Sequence, residues 1–188
     1  NHFYKFLVEK KSIIRKYDNE FLNHFKKQYD SSDLIILSSR YFEEDLKVLN
    51  ELIKILKDDD KRIIIFDNAL EQTTRVGFNR LDYYIYKNNK FPEKDILKKI
   101  EKNMFLDLEN KNEVNQIIKL IAKKNDVFLI ERKKIFCNLN EKSCPSITND
   151  GYKIYWDYSH ITVKGAEFFA RIIEKDKEFL KYLNYTFN

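Results

Sequence analysis

Three short, uninterrupted apolar runs constrain this chain more than anything else in it: Leu34-Ile35-Ile36-Leu37, Ile63-Ile64-Ile65-Phe66 and Val127-Phe128-Leu129-Ile130. Each is bounded by polar residues, and none alternates apolar with polar side chains. A run that is apolar at every position reads as a strand buried on both faces, the condition inside a parallel sheet flanked by helices. Between the first two runs, Phe42 to Lys57 carries Leu46, Leu49, Ile53 and Leu56 on one helical face, and Asp58-Asp59-Asp60 closes it as a polar turn. Strand, helix, strand with short connections is a βαβ unit, for which a right-handed crossover is favoured. The expected fold class is α/β, a three-layer sandwich with a mostly parallel central sheet.

The remaining segments fit that frame. Residues 1–29 place Phe3, Phe6, Leu7, Ile13, Ile14, Tyr17, Phe21, Leu22 and Phe25 at helical spacing for much of the stretch, and Asp30-Ser31-Ser32-Asp33 breaks the pattern. Helices are also expected over about Glu93–Leu106, Glu113–Lys124 and Ala166–Leu183. Asp67 to Lys94, with Gly77, several Tyr and Phe91-Pro92, follows neither period. It is expected to be irregular: a lid or recognition element beyond the strand carboxyl ends, or a surface loop packing its own aromatics.

A length of 188 residues suits one domain, and 43% hydrophobic with 35% charged residues excludes a disordered chain. No apolar run approaches the roughly 18 residues of a membrane span. The net charge of +5 raises the question of nucleic acid. The bases alternate with acids, as in Glu51-Leu52-Ile53-Lys54, which is the pattern of a solvated helix face, so no nucleic-acid partner is expected.

The chemistry concentrates in Tyr155-Trp156-Asp157-Tyr158-Ser159-His160-Ile161-Thr162-Val163-Lys164-Gly165-Ala166, which holds the only Trp and one of three His. A carboxylate three residues before an imidazole can fix the ring's tautomer and leave its other nitrogen free as a base. The bland alternative is a His that packs or caps near the start of the following helix. Thr162 is placed to cap that helix, and Gly165-Ala166 would permit close packing.

The run "YWDYSHITVKGAEFFARII" resembles the carboxyl-terminal motif of SGNH hydrolase-like domains, in the branch fused behind membrane acyltransferase-3 domains. The pattern there is aromatic-x-Asp-x-x-His-Leu-Ser/Thr-x-x-Gly-Ala. Three further stretches resemble the family in order: "DLIILSSRYF" (Asp33–Phe42), "LKDDDKRIIIF" (Leu56–Phe66) and "DVFLIERKKIFCNLNEKSC" (Asp126–Cys144). The resemblance implies a flavodoxin-like SGNH fold and a Ser–His–Asp triad, with His160 as general base and Asp157 as its orienting carboxylate.

Two departures stand out. The family's nucleophile lies in a Gly-Asp-Ser motif after the first strand, and this chain has no such motif. Because the chain begins with Asn, the expectation is that strand and serine lie upstream of it. The alternative is a domain without a nucleophile. Where many relatives carry Gly-x-Asn-Asp, this chain has Ser38-Ser39-Arg40-Tyr41. Ser38, Ser39 and Arg40 are candidate oxyanion or substrate donors, with an Arg40 ion pair over a packed Tyr41 as the alternative. Cys137 and Cys144 have no further ligands for a zinc site. As related domains face outside the cytoplasm, the resemblance implies a short disulfide, with free thiols the alternative. It further implies an extracytoplasmic domain tethered to an upstream membrane acyltransferase domain, an acyl donor, a glycan acceptor, and no cofactor or metal. The expected activity is O-acyl transfer to cell-surface polysaccharide, with a carbohydrate esterase or a non-catalytic glycan-binding domain as alternatives.

Overall fold

The computed structural model describes residues 19–184 except 70, 73, 75, 76, 111 and 112. The expected helical character of residues 1–18 lies outside the described residues. The chain forms two compact units, Asn1–Asp67 with Val114–Ile130, and Asn68–Glu113 with Glu131–Asn188.

The first unit contains α1 (Asn19–Asp30), β1 (Leu34–Ser38), α2 (Asp45–Asp58), β2 (Arg62–Phe66), α5 (Glu113–Lys124) and β3 (Phe128–Ile130). The three strands form a parallel sheet in the order β1-β2-β3, with Leu34 opposite Arg62 and Ile64 opposite Phe128. The class is α/β, as the apolar runs predict. Ile63, Ile64 and Ile65 are all fully buried, so β2 is covered on both faces. Ile63 and Ile65, with Leu37, join Leu49, Ile53 and Leu56 of α2 and Ile118 and Ala122 of α5 in one core. β1 departs from the expectation of two-sided burial. Among the described strands it lies at the sheet edge, and Ile36 is 55% exposed.

Two helices of this unit stop in the same way. After α2, Asp60 takes a left-handed φ of 55°, Lys61 N–H donates to Leu56 C=O at 2.8 Å and Asp60 N–H to Lys57 C=O at 3.0 Å. After α5, Asp126 takes φ 50°, Val127 N–H donates to Ala122 C=O at 3.0 Å and Asp126 N–H to Lys123 C=O at 3.3 Å. Both are Schellman closures, a position usually given to Gly, with Asp as the tolerated substitute in a Gly-poor chain. Each delivers the chain directly into the next strand.

The second unit contains α3 (Arg80–Asn88), α4 (Lys94–Asn110), α6 (Arg132–Phe136), α7 (Val163–Ile173) and α8 (Lys177–Asn184). α3 falls inside the stretch expected to be irregular. Asn79 caps it by accepting from Asp82 N–H at 2.8 Å, and Leu81 is the residue it buries. A bidentate pair, Arg80 to Asp107 at 2.6 and 2.7 Å, joins α3 to α4. The expected single helix after residue 166 is two. Thr162 starts α7 three residues earlier, accepting from Gly165 N–H at 3.0 Å, and Asp176 starts α8 by accepting from Phe179 N–H at 2.8 Å.

The core of this unit gathers Met104, Phe105, Phe136, Ile154, Tyr155 and Phe169, with Phe136 and Phe169 stacked at 3.9 Å. Gly165 of α7 lies against the backbone of Ile154 so closely that a Cβ there would stand 2.3 Å from the Ile154 carbonyl oxygen. Replacing Gly165 with Ala should therefore lower stability by about 2–3 kcal/mol in urea denaturation, because backbone and not a pliable side chain has to move.

Candidate active site

The site residues lie at the end of a ladder-like succession of isolated antiparallel bridges along the chain. Asn138 pairs with Ser143, Ile147 with Lys153, and Tyr155 with Ile161. Helix α4 holds the ladder from outside: Glu101 C=O accepts from Cys144 N–H at 3.1 Å, and Oε1 of Glu101 accepts from Ser146 N–H at 3.0 Å. Ile154 C=O accepts from Thr162 N–H at 2.8 Å, while Thr162 Oγ1 donates to Lys153 C=O at 2.7 Å. The same threonine thus starts α7 and fastens its first turn to the ladder.

At the top of the ladder, Trp156 N–H donates to His160 C=O at 2.7 Å and closes a turn over Asp157, Tyr158 and Ser159. The Asp157 carboxylate fills that turn. Its Oδ1 accepts from the backbone N–H groups of Ser159 and His160, each at 2.8 Å, and its Oδ2 lies 2.8 Å from His160 Nδ1. Burial alone would raise the Asp157 carboxyl, but the two N–H groups and the His160 ring outweigh it and hold the carboxyl at about 2. With Nδ1–H committed to this carboxylate, the neutral ring carries its lone pair on Nε2. The imidazole is 75% exposed and Asp157 31%, so the ring faces solvent while its partner is sheltered.

Ser159 adjoins the pair, but its Oγ is 3.5 Å from Nδ1, the nitrogen already engaged by Asp157. That is the wrong nitrogen for a nucleophile activated by this base. Ser38, Ser39 and Arg40 belong to the other unit. Ser38 ends β1, Ser39 Oγ donates to Arg40 C=O at 3.4 Å, the Arg40 guanidinium lies 5.0 Å over the Phe42 ring, and Tyr41 is buried. Cys137 and Cys144 form a disulfide, which closes the lowest rung of the ladder. Among the described residues no cluster of three or more His, Cys, Asp or Glu is placed to hold a metal.

Sequence reasoning missed the groups that steady the turn from the 67–94 stretch. Gln72 N–H donates to Tyr158 C=O at 2.8 Å, and Asn79 Nδ2 donates to Tyr155 C=O at 3.2 Å. Lys153 is held by Asp82 at 2.7 Å. The signal for Asn79 was present, since Asn-x-x-Asp is a helix-start pattern. Gln72 carried none.

A family model described as the SGNH domain fused to AT3 domains matches residues 6–175. The chain belongs to this family. No curated protein matched it. The Asp157–His160 turn and α7 lie inside the matched part of this SGNH domain, and α8 lies outside it. Membership brings esterase- or acyltransferase-type chemistry and a membrane acyltransferase domain as the companion of the fold. Among the described residues no helix of the SGNH domain is long and apolar enough to cross a membrane.

Two measurements follow. Carboxyl titration by 13C NMR should place Asp157 near 2, well under its ordinary 3.8. Since folding depresses this group, its contribution to stability is complete above the unfolded value and is lost as pH falls from about 4 through about 2. The stabilities of wild type and Asp157→Asn, measured by urea denaturation across pH, should converge as pH falls through that window. Opening the Cys137–Cys144 bridge with reductant should cost about 2–3 kcal/mol for so short a loop, read from denaturation with and without reductant.

Proposed function

We propose that this SGNH domain transfers an acyl group, with acetyl the first candidate, to hydroxyls of a cell-surface polysaccharide through a Ser–His–Asp triad. The observation that carries the reading is the Asp157–His160 pair, in which the carboxylate takes Nδ1–H and leaves Nε2 free. The nucleophile this reading requires is a serine in a Gly-Asp-Ser context, which these 188 residues do not contain.

In the first half-reaction the serine Oγ attacks the acyl carbon as its proton passes to His160 Nε2. Collapse of the tetrahedral intermediate breaks the bond to the donor's leaving atom, which takes that proton. In the second, an acceptor hydroxyl gives its proton to Nε2 while attacking the acyl-serine. The bond to Oγ then breaks and the proton returns to the serine. Asp157 stabilises the imidazolium in both halves. Ser38, Ser39 and Arg40, at the carboxyl end of β1, are the proposed donors to the oxyanion. Water in place of the sugar hydroxyl would make the same site an esterase, and the exposure of His160 leaves water able to compete. The disulfide supports a domain on the extracytoplasmic side, where such bonds persist.

The test is acyl transfer by the full-length protein. His160→Ala should abolish transfer and hydrolysis without loss of expression, and Asp157→Asn should lower kcat by roughly 10³–10⁴. Activity retained in His160→Ala would remove the base from its role. A full-length sequence with no Gly-Asp-Ser ahead of residue 1 would leave a glycan-binding accessory domain.

A further inference from the structure

The Trp156 side chain takes no part in the core of the unit that carries it. It is the only Trp of the chain, yet it is 71% exposed. An indole offers roughly 150–250 Å² for burial, and Tyr155 beside it is almost wholly buried in the core. The bridge between Tyr155 and Ile161, and the bond from Trp156 N–H to His160 C=O, set residues 156 and 160 opposite each other at the mouth of the turn. Opposed residues of an antiparallel pair project to the same side with Cβ atoms roughly 4.5–5.5 Å apart. Both side chains are exposed, and this register opens the indole and the imidazole to solvent at the same mouth of the turn. The ammonium of Lys153 lies 5.7 Å from the indole centroid and is itself fixed by Asp82 at 2.7 Å. A cation so anchored steadies the ring from one side.

We infer that Trp156 is a stacking platform for a pyranose ring, holding the sugar beside His160 while one of its hydroxyls reacts. A pyranose presents a face of C–H groups ringed by hydroxyls. The flat, electron-rich face of an indole accepts those C–H groups and leaves the hydroxyls at the rim, where Nε2 of His160 is the available base. The platform rests on the acyl-transfer reading of the dyad and adds to it how the acceptor is chosen. A steadied ring also loses little freedom when the sugar arrives.

The full-length protein, with Trp156→Ala and Trp156→Phe variants, decides the matter. One readout is partition of acetyl from p-nitrophenyl acetate between water and a set of methyl hexopyranosides. The other is saturation-transfer NMR with the same pyranosides. Trp156→Ala should raise the pyranoside concentration for half-maximal transfer by about tenfold, lower the transfer-to-hydrolysis ratio similarly, and remove the NMR contact to the ring C–H protons. Trp156→Phe should recover most of each. An unchanged half-saturation in Trp156→Ala, or equal losses in transfer and hydrolysis with no recovery by Phe, overturns the platform and leaves the dyad reading standing. If wild type and His160→Ala are equally inactive, the dyad reading falls. The NMR contact then decides on sugar binding alone: lost in Trp156→Ala, the indole stands as a pyranose-binding surface without the reaction, and retained, the platform is overturned.

Discussion

One carboxylate organises the turn that leads into α7. Asp157 accepts three hydrogen bonds, two from backbone N–H groups within three residues and one from the ring it orients. The backbone pair shapes the turn, and the turn aims the imidazole, so loop conformation and ring tautomer have a common cause. An Asn could imitate the shape through its carbonyl oxygen, but it would carry no charge to meet an imidazolium. The same bonds keep the carboxylate ionised wherever the protein is folded near neutrality, so it is never a competing acid.

The turn itself is too short to hold this geometry alone. Its base is fastened by Thr162 to the first turn of α7, and α7 is brought close by the missing side chain at Gly165. Gln72, through its backbone N–H, and Asn79, through its side-chain amide, bond the carbonyls of Tyr158 and Tyr155. Such bonds to backbone carbonyls constrain position without restricting which side chains the turn displays. The side chains of Trp156, Tyr158 and Ser159 are thus not needed to keep Asp157 and His160 in register.

How much of this is legible in the sequence depends on how local the cause is. The parallel sheet is legible because apolar runs of four residues leave few alternatives, and β2 shows the burial they imply. The Asp157–His160 contact is legible because both partners lie within four residues. The reading of β1 as fully covered fails at Ile36, since the run of four does not reveal which strand lies at an edge. Helix α3 is hidden because it buries little beyond Leu81 and draws its order from Asn79 and the Arg80–Asp107 pair, a partner 27 residues away. The break between α7 and α8 is hidden because Asp176 reads equally well as a helical surface residue or as a cap. Gln72 acts through its main chain, to which sequence patterns are blind.

The disulfide on the lowest rung has a consequence for how the domain matures. Cys137 and Cys144 are the only two cysteines in these 188 residues, and they face each other across a single short hairpin. Within this stretch no second pairing exists, so oxidation has no isomers to sort and needs no reshuffling. Both thiols also leave the ribosome almost together, seven positions apart. Locking the ladder is thus a local event that can finish whatever the state of the sheet, and the segment leading to Asp157 can be set before the rest of the domain has closed.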